Sequence, residues 1–336
     1  MPTASVHDVP GTRITPGARR KLIIDTDCGS DDAMAIAMAL NDPRYEILMF
    51  STVSGNVHVD QAITNTLTTI EHAGTYEPPV YVGCESMLLR PLVYAHETHG
   101  DDGMGDLGLR PSRLRPAPGN GVLRMLEELR SHEPGEIDVV ALGPLTNLAV
   151  AIRLDPQAMA RIGRLTVMGS AGLGRGNVTP VAEFNVWQDA EAARIVLEFG
   201  FEHLTFVGWD ACLGESMLDP DDIRRLRESG PLGRFAIDCN RVLMAMNVER
   251  FGDEYLDMAD PAAMAAALHP ECIAECDRYH CQIDVSDGPS YGSMLVDVNR
   301  FDGQPANAAV CSRLHADRYK RYLFATLGAG EWRRDA

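Results

Sequence analysis

Short apolar runs recur along the chain, and most are followed by a segment with helical spacing. KLIID at 21–25 is one such run, and AMAIAMAL at 33–40 follows it as a helix that stops at Asn41-Asp42-Pro43, where proline and its predecessor disfavour further turns. EILMFSTVSG at 46–55 reads as a strand entering a turn. IDVVALGP at 137–144 reads as a strand broken by Gly-Pro and is followed by the helix LTNLAVAIRL. RLTVMGSAG at 164–172 leads into the loop GLGRGNVTP, DAEAARIVLEFG is a helix ending at glycine, and HLTFVGWD at 203–210 is again a strand. Strands that are apolar throughout, rather than alternating, are covered on both faces. With helices between them they predict an α/β fold: one open, mostly parallel, Rossmann-like sheet flanked by helices. Residues 231–271 read as helical, and YHCQIDVSDGPSYGSMLVDVN at 279–299 reads as a β-hairpin near the C-terminus.

The domain expectation is simple. Residues 1–20, rich in Pro, Gly, Thr and Arg, read as a flexible arm, and 21–336 as a single domain without repeat or linker. The arm lacks the apolar h-region of a signal peptide. No apolar stretch approaches the roughly 18 residues of a membrane span. A formal charge of −18 makes nucleic acid and anionic membranes poor partners. Eight scattered cysteines fit reduced thiols in the cytoplasm better than a disulfide framework. Cys272, Cys276, His280 and Cys281 cluster in sequence, but without zinc-finger spacing, so ordinary buried thiols are the simpler reading.

The rule that ligands sit at the carboxyl ends of parallel strands then sorts the polar residues. Asp25 and Asp27 close the first strand, Asn56 follows the second, Leu142 ends a later one, and the loop 177–185 follows the next. In DTDCGSDD, four aspartates fall within residues 25–32. Helix capping accounts for one or two of them. An aspartyl-phosphate phosphotransferase also places Asp-x-Asp after its first strand, but requires a lysine and a downstream acidic pair in a context not evident here. A calcium cage is the third reading: Asp27 and Asp32 would supply oxygens, joined by a carbonyl at the end of the ALGP strand and by Asp260 at a helix start.

DTDCGSDDA resembles the opening signature of the inosine-uridine preferring nucleoside hydrolases, Asp-x-Asp-Pro-Gly-x-Asp-Asp-Ala. TVSGN at 52–56, HGDDGMG at 99–105, ALGPLTNLA at 141–149, GNVTPVAEFN at 176–185 and DPAA at 260–263 follow in the family's order, and the likeness extends to HADRYKRYLFATL. The resemblance implies a Ca²⁺-dependent hydrolase that cleaves the N-glycosidic bond of a ribonucleoside through an oxocarbenium-like sugar. It implies metal ligands Asp27, Asp32, Asp260 and the carbonyl of Leu142, with Asp27 also the general base. Asp31 would accept from the ribose 2′-hydroxyl. Asn56, Asn177, Glu183 and Asn185 would hold the other hydroxyls, Asn185 sharing in catalysis. Phe184 would border sugar and base, His99 would lie on a loop near the base, and Asp25 would support the ligands from beneath. The partner is a small nucleoside, and a homodimer or homotetramer is implied.

Two positions depart from the family pattern. Cys28 replaces the usual proline, a change expected to alter the rigidity of the turn rather than the chemistry, with a redox-sensitive thiol beside the metal as the alternative. Ala259 stands where many relatives carry histidine and others tryptophan. Alanine protonates nothing, so leaving-group activation must come from elsewhere, and a nucleoside-binding protein with weak or lost hydrolysis is the alternative. His99 is a catalytic candidate for that activation; Trp209, Asn247, Glu249, Arg250 and Tyr255 are the candidates for the base pocket, and the loop 96–106 has the composition of a lid.

Overall fold

A computed structural model describes residues 19–332; most of the expected N-terminal arm lies outside the described residues. Ten strands are present there: β1 (Arg20–Thr26), β2 (Tyr45–Thr52), β3 (Val80–Val82), β4 (Ile137–Ala141), β5 (Leu165–Met168), β6 (Leu204–Val207), β7 (Ile273–Tyr279), β8 (Cys281–Ile283), β9 (Met294–Val296) and β10 (Ala308–Leu314). Eight form one sheet in the order β3-β2-β1-β4-β5-β6-β10-β7, and β8 and β9 pair separately as an antiparallel hairpin. Every neighbouring pair in the large sheet is parallel except β10 with β7.

The unbroken apolar strands have the cause expected of them. Leu22 and Ile24 of β1 join the core on one face of the sheet, and Ile23 joins the core on the other. The first face is covered by helices that include Ser30–Asn41, Val59–Ala73, Ala259–Leu268 and Ala316–Thr326; the second by Gly121–Ser131, Thr146–Leu154 and Ala190–Phe199. Ser30–Asn41 and Ala259–Leu268 pack against each other. Every side chain of the first from Ser30 to Leu40 is buried, and its alanines let the two helices approach closely.

β3, β7 and β10 were not among the strands expected from the pattern. β3 is three residues long. β7 is an edge strand whose ECDR stretch is charged because it is half-exposed. β10 is buried but short of bulky residues, and long-range pairing rather than local propensity makes it a strand. The hairpin stands where it was expected, though residues 284–293 connect its strands rather than a tight turn.

The order places the site. From β1 the chain steps outward to β2 and β3, then returns to β4 on the other side of β1 and proceeds to β5 and β6. β1 and β4 therefore flank the switch point, where the crossovers diverge and leave a crevice at the carboxyl ends. Among the described residues no helix is long and apolar enough to cross a membrane.

Candidate active site

A cavity of about 610 Å³ opens at this crevice. Asp31, Asn56, His99, Leu142, Asn177, Glu183, Phe184, Asn185 and Asp260 all line it. Nine residues scattered over 230 positions are thus gathered because their strands and helix starts end at one edge. Asp27 and Asp32 are fully buried directly beneath.

Asp31, Asp32 and Asp260 form, among the described residues, the one group of His, Cys, Asp or Glu side chains disposed to hold a metal, with ligand atoms within 4.8 Å of one another. Asp27 stands beside it. The backbone N–H of Asn56 donates to Asp27 Oδ2 at 2.6 Å, and the Asn56 side chain donates to Asp32 Oδ2 at 3.2 Å. Gly29 N–H also donates to Asp32 Oδ2, at 2.8 Å. Asp27 Oδ1 is buried with no hydrogen-bond partner. Gly55 and Gly143 press on this carboxylate: an added Cβ would fall 2.1 Å from Asp27 Oδ2 and 2.7 Å from Asp27 Oδ1 respectively.

Burial, reinforced by the neighbouring charges, drives Asp27, Asp32 and Asp260 out of the carboxylate range. Asp27 is raised by burial and then by Asp32. Asp32 is pushed up to about 7 by burial and Asp31, and Asp260 is raised by burial, Asp31 and Asp32. Acids that resist ionisation together, one with an orphaned oxygen, form a site that a cation relieves. An all-oxygen donor set of carboxylates and nearby carbonyls fits a hard divalent ion.

The sugar-side residues are fixed by their own backbone contacts. Glu183 caps the short helix Phe184–Gln188: its carboxylate accepts from Asn185 N–H (2.8 Å), Val186 N–H (3.3 Å) and Ser170 N–H (2.9 Å). Ser170 sits at φ 76°, a strained conformation held at the end of β5. Burial outweighs these donors and brings Glu183 to about 7. Asn185 Nδ2 donates to the Leu142 carbonyl at 2.6 Å. Asn177 is exposed, and its Oδ1 accepts from Phe184 N–H at 2.9 Å.

His99 ends a short helix, His96–His99, and is buried. Ser30 N–H lies 3.3 Å from His99 Nδ1 and Ser30 Oγ 2.8 Å from it. An amide nitrogen can only donate, so Nδ1 accepts and the ring proton resides on Nε2. Burial lowers the His99 pKa, with Asp31 opposing. The glycine-rich segment after it is anchored: Asn65 donates to the carbonyls of Cys28 and Asp102, each at 2.9 Å, and Arg241 donates to those of Gly105 and Asp106. Gly100, Gly103 and Gly105 all have positive φ there.

The remaining candidates divide. Trp209, Arg250 and Ala259 line the cavity; Asn247, Glu249 and Tyr255 do not. Asn247 instead lies below, donating to Asp257 Oδ1 at 2.6 Å. Asp257, Leu243 and Met246 line the cavity and escaped the sequence reading; the spacing of Leu243, Met246 and Arg250 along one helix face was the available signal. Asp25 accepts from Asn147 at 2.7 Å and from Ser51, is raised to about 6 by burial, and lies off the cavity. Cys28 is fully buried, and burial and Asp32 hold its thiol well above the ordinary range, the opposite of a reactive thiolate. Cys272, Cys276 and Cys281 are buried, while His280 pairs with Asp302.

An open, mostly parallel sheet with a carboxylate cluster able to hold a cation at its switch point has the architecture of a Rossmann-like enzyme. The sequence model for the inosine-uridine preferring nucleoside hydrolases matches residues 22–321. The chain is 32% identical over 300 residues to the pyrimidine-specific ribonucleoside hydrolase RihB of Escherichia coli O157:H7, a match covering 89% of this chain and 94% of that protein. In structure it is similar to a plant nucleoside hydrolase (TM-score 0.86, 30% identity, 93% and 100% of the two chains). It is also similar to the purine-preferring ribonucleoside hydrolase from Gardnerella vaginalis (TM-score 0.84, 26% identity, 92% and 98%). The chain belongs to the inosine-uridine preferring nucleoside hydrolase family and is a hydrolase of N-glycosyl bonds.

Proposed function

We propose that the protein hydrolyses a ribonucleoside to ribose and free base with the help of Ca²⁺. The observation that carries this reading is the convergence of Asp31, Asn56, Asn185 and Asp260 on one cavity above buried Asp27 and Asp32. Asp27, Asp32, Asp260 and the Leu142 carbonyl would hold the cation, with Asp31 close by. Bound there, the ion would acidify water and fix the sugar diol.

The protein's own groups do the rest. Asp27 Oδ1, without a hydrogen-bond partner, takes the proton of the attacking water. Asp31 accepts from the 2′-hydroxyl. Asn56, Asn177 and Asn185 bind the remaining hydroxyls, each amide offering both donor and acceptor. Glu183, with three backbone donors already on it, adds one further acceptor and holds Asn185 in place. Electron-rich oxygens around the ring stabilise the positive charge that develops on the sugar. Phe184 and Trp209 supply apolar wall, and His99 donates its Nε2 proton into a hydrogen bond with the base.

One observation favours a second reading: Ala259, at the start of its helix, presents only a methyl group to the cavity. On that reading the protein binds nucleosides and turns them over slowly or not at all. Reducing-sugar release from a panel of purine and pyrimidine nucleosides, with and without chelator, separates the two. Chelator-sensitive release supports hydrolysis; calorimetric binding without release supports the binder.

A further inference from the structure

Ala259 leaves a chemical vacancy at the base end of the cavity. A nucleoside base is a poor leaving group unless it is protonated as the C1′–N bond breaks. His99 is engaged elsewhere: its Nδ1 faces Ser30, 3.3 Å from the backbone N–H and 2.8 Å from Oγ.

The buried acids on the cavity wall are Asp31, Glu183, Asp257 and Asp260. Asp31 and Asp260 belong to the carboxylate cluster, and Glu183 is held by three backbone N–H groups. Asp257 remains. It lines the same cavity as Ala259, while Met258 between them is wholly buried, as successive side chains of a non-helical segment turn opposite ways. Asn247 fixes its carboxyl group, donating to Asp257 Oδ1 at 2.6 Å and to the Tyr255 carbonyl at 3.0 Å. Leu243 and Met246 add apolar surface to the same cavity.

We propose that Asp257 is the acid that protonates the departing base, in the place that Ala259 leaves vacant. The inference rests on the N-glycosidic reading above. The C1′–N electron pair stays with the base, and the Asp257 carboxyl proton passes to a ring nitrogen or carbonyl oxygen of that base. Water forms the new C1′–O bond and yields one proton to Asp27. Proton exchange with solvent then returns Asp257 to the acid and Asp27 to the carboxylate, so water and nucleoside balance ribose and base. Burial on the cavity wall favours the protonated form of this carboxyl group. Burial raises Asp257, the Asn247 amide and Arg250 oppose the rise, and Asp31 adds to it; the Cys212 thiol also feels the Asp257 charge.

Asp257→Asn preserves shape and the acceptor for Asn247 but removes the acid. The test compares hydrolysis of nucleosides with that of p-nitrophenyl β-D-ribofuranoside, whose phenolate leaves without protonation. The variant is expected to lose about 100-fold in kcat/KM on nucleosides and to stay within about threefold of wild type on the phenyl riboside. Retained phenyl riboside hydrolysis also shows that the variant is folded. Parallel losses on both substrates, or no loss on either, overturn the proposal. A wild-type protein inert toward both overturns the N-glycosidic reading itself, and this proposal with it.

Discussion

Asn185 donates its side-chain amide to the backbone carbonyl of Leu142 across 2.6 Å. The loop after β5 is thereby tied to the end of β4, and a sugar-side residue is joined to an expected cation ligand. A carbonyl has two lone pairs, so this contact leaves one available to an ion. Asn185→Ala and Asn185→Asp are each expected to lower kcat/KM on the best nucleoside by about 100-fold, the scale of a lost transition-state hydrogen bond. The Asp variant should also melt earlier, because its carboxylate meets the Leu142 oxygen. Activity assays with thermal melts check both.

Gly55 is glycine for want of space. Gly55→Ala places a Cβ 2.1 Å from Asp27 Oδ2, and either the carboxylate or the loop must move. The variant is expected to lose about 1–3 kcal/mol of stability, as overpacked sites do. Its hydrolytic activity should fall much further than its stability. Denaturant unfolding alongside kinetics would expose the idea as wrong if activity were retained.

Removing the cation should both inactivate and destabilise. An ion present at 100 times its Kd stabilises the folded state by about 2.7 kcal/mol. Chelator is therefore expected to lower Tm and abolish turnover, and added Ca²⁺ to restore both. In Asp32→Asn the Ca²⁺-dependent rise in Tm should largely vanish. A Tm indifferent to chelator and Ca²⁺ in the wild type would contradict the assignment.

Glu183 gives stability a pH dependence with a definite sign. Its folded pKa is about 7 against an ordinary 4.5, so the folded chain keeps a proton that the unfolded chain has lost. This contribution is complete below about 4.5 and declines as pH rises through about 7. Glu183→Gln removes the titration but aims an amide NH₂ at one of the three backbone donors. It should be less stable than wild type at pH 5, with the gap narrowing by pH 8. Urea unfolding at the two pH values tests the direction.

The sheet and its flanking helices were legible because their signal is local. β1, β2, β4, β5 and β6 are apolar runs followed by helices, and the hairpin and the helices of 231–271 also carry their own patterns. β7 and β10 were not legible, since a charged edge strand and an alanine-led strand owe their conformation to long-range pairing, β7 with β10 and β10 with both β7 and β6. In the site, the aspartates near residue 27 and the Asn and Glu residues near 183 stood out as polar groups at strand ends. Asp257 did not, because nothing in YLDMAD distinguishes a cavity-facing acid from a solvated one. Asn247 was read as a wall residue when it is the support behind one, for the same reason: a helix periodicity tells which face is buried but not against what.

The sequence by itself determined the parallel α/β class, the edge of the sheet where polar residues gather, and, by resemblance, the family. These follow from periodicity and motif order, which are properties of neighbouring residues. Tertiary structure alone decided that Asp31, Asp32 and Asp260 come within 4.8 Å of one another, that Glu183 spends its oxygens on backbone donors, that His99 carries its proton on Nε2, and that Asp257 rather than Asn247 faces the cavity. Each of those depends on desolvation and on contacts between segments far apart in the chain, quantities that exist only once the strands have been set side by side.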